Sequence, residues 1–204
     1  PGGAPCNVLA MLGKLGKKTA FIGKVGNDQF GNMLRNTIES VGIDAEGLVI
    51  DDKVHTTLAF VHTYPDGDRD FSFYRNPGAD MMLRKEEVSL DKICASKIFH
   101  FGTLSFTHAG IRTASQYAIQ CAKEAGALIS FDPNLREPLW ENLEDARKAI
   151  EYGMECCDIL KISDNELTFM TGEKDYDKGA VLLQQKYQIP LVCVTLGKDG
   201  SRAY

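Results

Sequence analysis

Hydrophobic and polar positions follow a helical period in the first forty residues. Apolar residues spaced three and four apart predict a helix over 8–15, ending at Gly16, and a second over 30–41, ending at Gly42. Asp28 precedes the second helix and is a suitable N-cap. Residues 19–23 between the helices have the short apolar pattern of a buried strand. The chain is therefore predicted to begin in the order helix, strand, helix.

The pattern then changes to that of a β-hairpin. Residues 55–64 and 69–75 are rich in β-branched and aromatic side chains, and they flank the turn signal Pro65-Asp66-Gly67-Asp68. No helical segment separates the two runs, so the strands are predicted to be antiparallel and to stand off the main sheet as a flap.

Short apolar runs alternate with amphipathic segments after residue 80. Strands are predicted at 97–101, 127–132, 158–162 and 191–195, and helices at 109–125, 143–152, 166–171 and 178–187. This alternation is typical of an α/β fold with a parallel sheet covered by helices. Ligands bind such sheets at the carboxyl ends of the strands, so the residues that follow each strand are the candidates for function.

Composition narrows the function classes. Of the 204 residues, 44% are hydrophobic and 25% charged, which is enough apolar surface for a folded core. The net charge of −5 and the lack of a Lys/Arg run argue against binding nucleic acid through a basic surface. No stretch approaches the roughly 20 apolar residues of a membrane helix. A cytoplasmic protein that binds neither nucleic acid nor membrane is expected.

Cysteines and histidines indicate structural roles. The six cysteines are scattered without a Cys-x-x-Cys pair, which is typical of reduced, buried thiols. The four histidines lack the i, i+4 spacing of a zinc helix. A metal site built from these residues, or a nucleophilic cysteine at Cys157, has little support.

Several loops carry groups that suit a polar ligand. Gly2-Gly3-Ala4-Pro5-Cys6-Asn7 places exposed N–H groups and an amide at a helix start, although the spacing alone favours a plain helix start. In the second hairpin strand, Phe71, Phe73 and Arg75 share one face and suit a hydroxyl-rich or anionic ligand. An exposed surface arginine is an equal alternative for Arg75.

Three further segments follow predicted strands. Asp132-Pro133-Asn134-Leu135-Arg136 brings polar groups together past a buried strand, and a functional role is favoured. Ser163-x-x-Glu166 is fully explained as a capping box. A second role for Glu166, in orienting water on Mg²⁺, is compatible with the spacing but not required by it. The 195–200 segment is by itself a hairpin loop, whose Thr195 hydroxyl and N–H groups could also meet a nucleotide phosphate.

Nucleotide-binding glycine motifs do not match residues 23–31. This segment has neither the Gly-x-Gly-x-x-Gly of a dinucleotide site nor the Gly-x-x-x-x-Gly-Lys-Ser/Thr of a phosphate loop. A strand-to-helix turn capped by Asp28 is the favoured interpretation. A nicotinamide-dependent enzyme is correspondingly disfavoured.

Together, these segments resemble the ribokinase-like (PfkB-type) sugar kinases, and most closely the fructokinases. The resemblance spans the whole chain and rests on several motifs in order, namely Gly2-Gly3-Ala4-Pro5-Cys6-Asn7, Gly16, Val25-Gly26-x-Asp28-x-Phe30-Gly31, Phe73-Tyr74-Arg75-Asn76-Pro77-Gly78-Ala79-Asp80, Asp132-Pro133-Asn134-x-Arg136, Ser163-x-x-Glu166 and Val194-Thr195-Leu196-Gly197-x-Asp199-Gly200. Two departures are Leu9, where the family has a small residue, and Ser163, where many members have Asn.

The resemblance implies a ribokinase-like, doubly wound, mostly parallel sheet with a small antiparallel β-lid. The core would comprise 1–46 and 81–204, and the lid 47–80. ATP and Mg²⁺ would be the co-substrates, and the γ-phosphoryl group would pass to a sugar hydroxyl, with fructose favoured over 2-keto-3-deoxygluconate. A non-catalytic sugar- or nucleotide-binding relative is the alternative from another class. A homodimer through the lid is also expected.

Site residues follow from the resemblance position by position. The sugar would be held by Gly3, Asn7, Phe73 and Arg75. The nucleotide would be held by Asn134, Arg136, Thr195, Gly197 and Gly200, with Arg136 neutralising charge in the transition state and Glu166 helping indirectly to organise Mg²⁺.

The two chain ends carry a further expectation. The chain begins with Pro1 rather than Met and ends on Tyr204 within a predicted strand, so both ends are expected to be cut. The family's catalytic Asp, in a Gly-Ala-Gly-Asp helix start, and its first sheet strand with a sugar-binding Asp have no counterpart in these residues. This chain alone is therefore expected not to turn over.

Overall fold

The computed structural model describes residues 2–64 and 69–204. The predicted turn at 65–68 lies outside the described residues. By their contacts the residues form two compact units. Unit 1 comprises Pro1–Lys92 and His108–Ser115, and unit 2 comprises Ile93–Thr107 and Gln116–Tyr204.

Unit 1 pairs short strands with helices. Its elements in order are α1 (Ala4–Lys14), β1 (Thr19–Ala20), β2 (Gly23–Gly26), α2 (Gln29–Ser40), β3 (Ile43–Asp44), β4 (Leu48–Asp51), β5 (Leu58–Thr63) and β6 (Arg69–Tyr74). Strand β1 pairs in parallel with β3, and β2 pairs in parallel with β4. The opening order of helix, strand and helix is confirmed.

Element boundaries in unit 1 differ from the predicted ones. Helix α1 begins at Ala4, with Pro5 in its first turn, because proline is tolerated where the N–H has no helical partner. The predicted strand 19–23 is divided between β1 and β2. Strands β3 and β4 were not predicted, because two to four residues are too few to show a period.

A small hydrophobic core holds unit 1 together. Its most buried side chains are Val25, Ile38, Ile43, Ala45 and Leu48. Leu9 and Leu34 pack against them from α1 and α2. The large residue at position 9 therefore packs against this core.

The predicted hairpin is confirmed as the antiparallel pair β5 and β6. Its register runs from Leu58 opposite Tyr74 to Thr63 opposite Arg69. The Phe71 and Phe73 rings stack with centroids 5.9 Å apart, so they share one face as predicted.

Unit 2 is built on a five-stranded sheet in the order β11-β10-β9-β8-β7. Strands β7 to β10 are parallel and β11 is antiparallel to β10. The elements of this half of the chain are α3 (Leu90–Cys94), β7 (Ile98–Gly102), α4 (Ala109–Glu124), β8 (Leu128–Asp132), α5 (Leu143–Cys156), β9 (Ile159–Ser163), α6 (Asp164–Thr171), α7 (Tyr176–Tyr187), β10 (Leu191–Thr195) and β11 (Ser201–Ala203).

The two faces of this sheet differ in character. Parallel crossovers are right-handed and the order from β7 to β10 never reverses, so the connecting helices of unit 2 lie on one face. The strand residues on that face are the most buried, being Phe101, Ile129, Phe131, Leu160, Ile162, Val192 and Val194. The alternate positions of β8 and β9 include Ser130, Asp132, Lys161 and Ser163, so the other face is polar.

The described fold is α/β, with a parallel sheet and a small antiparallel one, as predicted. Among the described residues, no helix is both long and apolar enough to cross a membrane.

Candidate functional site

The carboxyl ends of β7 to β10 meet at one edge of the unit 2 sheet, because these strands are parallel. Register places Gly102 beside Asp132 and Ser163 beside Thr195. The predicted nucleotide residues after β8 and at the end of β10, together with Glu166 after β9, therefore share this edge. Thr195 ends β10 and Glu166 lies in α6, whereas the others sit on loops that follow a buried strand.

The loop after β8 contains Asn134, which has a left-handed backbone. Among the described residues other than glycine, Gln188 alone shares this conformation. Asn134 has φ 45°, a conformation that asparagine tolerates better than most residues. The Asn134 side-chain amide forms no hydrogen bond with the described part of the chain. Arg136 is half-buried, and its Nη1 donates to the Leu135 carbonyl at 2.9 Å. An amide and a guanidinium thus lie on one short, strained loop.

Glu166 forms the predicted capping box and also contacts this loop. Its Oε2 accepts from the Ser163 N–H at 2.9 Å and from the Ser163 hydroxyl at 2.7 Å. Its Oε1 accepts from the Leu135 N–H at 2.7 Å. The capping box alone does not account for Glu166, since one carboxylate oxygen is used to hold the neighbouring loop.

Sequence reasoning missed a second residue that holds the loop. Thr103 directly follows β7 and is fully buried. Its hydroxyl donates to the Pro133 carbonyl at 2.6 Å, and its N–H donates to the same oxygen at 3.2 Å. The signal was available, because Thr103 follows a strand at the edge where ligands bind, but no polar motif surrounds it.

Asp132 begins the loop with a partly neutralised charge. Its carboxylate Oδ1 lies 3.2 Å from Lys161 Nζ on the adjacent strand β9. Burial raises the pKa of Asp132, while the nearby Lys161 ammonium acts to lower it. On β7, His100 Nδ1 lies 3.0 Å from the Ser130 hydroxyl, and burial lowers the pKa of His100. Lys161 was not predicted as part of the site.

The segment after β10 is the predicted hairpin loop to β11. Gly197 and Gly200 have φ values of 57° and 90°, which glycine adopts without a steric penalty. The Leu196 N–H donates to the Gly200 carbonyl at 2.8 Å and closes the loop. Thr195 is half-buried at the end of β10. These residues lie at the same sheet edge as the Asn134 loop.

The described residues do not group further metal ligands around Glu166. Both carboxylate oxygens of Glu166 already accept hydrogen bonds from protein donors. Within residues 2–64 and 69–204, no group of three His, Cys, Asp or Glu side chains is arranged to hold a metal ion. The indirect role expected for Glu166 stays a prediction.

The predicted sugar residues all belong to unit 1. Gly3 is the N-cap of α1 with φ 129°, and its carbonyl accepts from the Asn7 N–H at 3.0 Å. Asn7 is exposed on the first turns of that helix. Phe73 is half-buried on β6.

Arg75 is buried, so the alternative of an exposed surface arginine is wrong. Its side chain is 6% exposed, and its Nη2 lies 2.6 Å from Asp80 Oδ2. The Asp80 carboxylate is held in turn by the Thr57 hydroxyl. The guanidinium is therefore positioned by an ion pair at the base of the hairpin. Its contact with a sugar stays a prediction.

Asp28 has the structural role predicted for it. Its carboxylate accepts from the Gly31 N–H and from the Thr56 N–H and hydroxyl, each at 2.8 Å. Burial acts to raise the pKa of Asp28, but these hydrogen bonds outweigh it and lower the pKa to about 2. Asp28 thus caps α2 and ties it to the segment that leads into the hairpin.

The Cys157 thiol is buried on α5's C-terminal side. Burial raises the pKa of Cys157 to about 12, so the thiol is protonated at neutral pH. Because the thiolate is the nucleophilic form of cysteine, a protonated Cys157 is suited to packing and not to nucleophilic catalysis.

Comparison with known proteins identifies relatives over the whole chain. The sequence profile described as pfkB family carbohydrate kinase matches residues 1–204. The probable fructokinase-2 of Arabidopsis thaliana is 46% identical over 204 residues, which are 100% of this chain and 62% of that protein. The fructokinase-2 of Solanum lycopersicum is 45% identical over 204 residues, again 100% of this chain and 62% of the relative. This chain thus spans less than two thirds of the length of these relatives.

Solved structures agree with this similarity. The Vibrio cholerae fructokinase in its fructose, ADP and calcium ion bound form superposes with a TM-score of 0.89 and 32% identity, over 100% of this chain and 65% of that one. The Xylella fastidiosa fructokinase with bound ATP gives a TM-score of 0.88 and 33% identity, over 100% of this chain and 63% of that one.

Proposed function

Because the chain belongs to the pfkB family of carbohydrate kinases, we propose that the protein transfers the γ-phosphoryl group of ATP to a hydroxyl of fructose, giving fructose 6-phosphate and ADP. The observation that carries the proposal is the similarity, over the whole of this chain, to a fructokinase with fructose and ADP bound. Two relatives called fructokinases, at 45% and 46% identity, support the same sugar.

The nucleotide would be held by the residues at the sheet edge of unit 2. In phosphoryl transfer, the protein mainly positions the reactants and stabilises the charge on the transferring group. The Arg136 guanidinium supplies the positive charge, and the Asn134 amide, which has no partner among the described residues, offers both donor and acceptor. Thr195, Gly197 and Gly200 would contribute a hydroxyl and N–H groups that bind phosphate oxygens. Mg²⁺ would enter as the metal bound to ATP.

The sugar would be held by Gly3, Asn7, Phe73 and Arg75. Guanidinium donors bind two oxygens at once, and an aromatic ring beside them excludes water. The Asp80 carboxylate orients Arg75 before a ligand arrives. Exclusion of water matters for a kinase, because water would otherwise compete for the γ-phosphoryl group.

A sugar panel tests the proposed activity. The complete protein is incubated with Mg²⁺ and ATP, and ADP release is measured with fructose, ribose and 2-keto-3-deoxygluconate. We expect the highest kcat/KM with fructose. A higher kcat/KM with 2-keto-3-deoxygluconate would show that this compound, and not fructose, is the substrate. Nucleotide binding without ADP release in the presence of any sugar would make the protein a binding relative.

We also propose that two copies of the protein pair through the β5–β6 hairpin. One face of this ribbon carries Phe60 and Tyr74, which are 59% and 68% exposed and contact each other edge to face at 5.5 Å. The hairpin forms a two-stranded sheet, which is marginally stable without further packing. An exposed aromatic face on such a ribbon is suited to a second copy.

Sedimentation of the complete protein tests the dimer. We expect a dimer at micromolar concentration and a monomer for the double variant Phe60→Ser, Tyr74→Ser. Ile98→Ser is the matched control, since Ile98 is 51% exposed on β7 and lies outside the hairpin. A wild-type monomer, or a dimer that survives the double variant, would count against this interface.

A further inference from the structure

The structure assigns a positioning role to Thr103 and Glu166: we propose that together they hold the backbone on both sides of Asn134, so that its side-chain amide is oriented before a nucleotide binds. This inference rests on the proposed function, because it takes Asn134 as a nucleotide-binding residue. Neither residue would touch the nucleotide in this role. Thr103 carries no part of the family resemblance described above.

The two residues act on the two peptide groups that flank Asn134. The Pro133 carbonyl belongs to the peptide before Asn134, and both donors of Thr103 bind its oxygen, at 2.6 and 3.2 Å. The Leu135 N–H belongs to the peptide after Asn134, and Glu166 Oε1 accepts from it at 2.7 Å. Since φ and ψ of a residue are the rotations between its two peptide planes, fixing both planes fixes the backbone of Asn134.

The backbone of Asn134 needs such support. Its φ of 45° is in the left-handed region, which is sterically unfavourable for a residue other than glycine. Without the two flanking contacts, the loop would relax toward negative φ and rotate the amide away. Asparagine rather than glycine at this position indicates that the side chain itself is needed.

Burial makes the two contacts strong. Thr103 is 0% exposed, so water does not compete for its hydrogen bonds, and Glu166 is 8% exposed. The chain also approaches closely here, since a Cβ added to Gly102 would lie 2.8 Å from the Asp132 carbonyl oxygen. The loop is thus held against the end of β7 by Thr103 and against the start of α6 by Glu166.

Thr103→Val removes the hydroxyl at nearly constant volume. We expect it to weaken ADP binding by the complete protein about tenfold, because the Pro133 carbonyl loses the shorter of its two buried hydrogen bonds. Thr103→Ser keeps the hydroxyl and should bind ADP within about twofold of wild type. Thr171→Val is the matched control, since that hydroxyl also donates to a carbonyl, of Leu167 at 2.8 Å, away from the loop.

A double-mutant cycle separates this role from general destabilisation. Asn134→Gly removes the amide and the backbone cost together. If Thr103 acts through Asn134, Thr103→Val should weaken ADP binding by no more than about twofold in the Asn134→Gly background, since the pair is coupled. The same tenfold loss in both backgrounds would overturn the proposal, as would unchanged binding by Thr103→Val.

A second variant covers the case in which Thr103→Val does not fold. Glu166→Leu removes both carboxylate acceptors, including the one for the Leu135 N–H, and we expect a similar loss that is again coupled to Asn134. An uncoupled loss overturns the proposal. Failure of the wild-type protein to bind ADP would overturn the proposed function and this inference together, whereas ADP binding and turnover with unaffected variants would overturn the inference alone.

Discussion

Replacing Lys24 with methionine is expected to destabilise the protein by about 3–5 kcal/mol, the usual cost of removing one partner from a buried ion pair. The Lys24 side chain is 5% exposed and lies 3.0 Å from Asp51 Oδ2 and 2.8 Å from Glu87 Oε1. The two carboxylates are 14% and 17% exposed. Without the ammonium, two negative charges stay near each other with little access to water. Urea unfolding of wild type and variant measures the difference.

The pH dependence of this loss identifies its cause. Backbone hydrogen bonding from Lys53 is the largest cause that lowers the pKa of Asp51, with Lys24 adding to it. Burial raises the pKa of Glu87, but hydrogen bonds from Lys24 and Arg84 outweigh it and lower that pKa. A carboxylate with a lowered pKa stabilises the fold above its ordinary range and loses that effect as pH falls. The penalty of Lys24→Met should therefore be largest at neutral pH and shrink below about pH 4.

An exposed ion pair provides the control. Arg35 and Glu39 lie 3.2 Å apart on α2, with side chains 40% and 49% exposed. Arg35→Met should cost about 0.5 kcal/mol or less, since water and salt screen such pairs. Equal losses for the two variants, or a Lys24→Met penalty that is unchanged at low pH, would contradict the explanation from buried charge.

Gly31→Ala is the second substitution with a large expected effect, a loss of about 3 kcal/mol at the upper end of overpacking costs. A Cβ at Gly31 would lie 2.1 Å from the Gly26 carbonyl oxygen and 3.1 Å from Thr56 Oγ1. The first contact is with backbone, so β2 or α2 would have to move. Asp28 holds that junction through its bonds to Gly31 and Thr56, which leaves little freedom for such a movement.

Gly110→Ala is the matched control for this steric effect. Gly110 also lies within a helix, α4, but a Cβ there would meet its nearest neighbour, His108 Nδ1, at an ordinary 3.5 Å. Alanine is the better helix former, so this change should be neutral or stabilise by up to about 1 kcal/mol. Thermal unfolding of both variants compares them, and similar melting temperatures for both would contradict the steric argument.

Local sequence signals predicted the helices, strands and caps that form between nearby residues. The Asp28 cap, the Ser163 to Glu166 capping box and the strands from 97 to 195 depend on spacing within a few residues, and the structure has them. The hairpin was predicted for the same reason, because its strands are neighbours in the chain. The chain's membership of the sugar-kinase family also followed from motif order.

Contacts between distant segments could not be predicted in this way. The burial of Arg75 depends on Asp80 and the surrounding fold, and sequence reasoning left it open between a ligand-binding arginine and an exposed surface one. The Lys24, Asp51 and Glu87 cluster joins residues up to 63 positions apart and has no local signature. Thr103 and Pro133 are 30 positions apart and meet only because β7 and β8 are adjacent.

The amino-acid sequence by itself determined the succession of strands and helices and the loops that carry polar groups, because periodicity and capping are short-range effects. Only the tertiary structure decided how those loops are held. Asn134 has a left-handed backbone because Thr103 and Glu166, from two other elements, bind the peptides on either side of it. Hydrogen bonds between segments depend on strand order and register, which no short stretch of sequence contains.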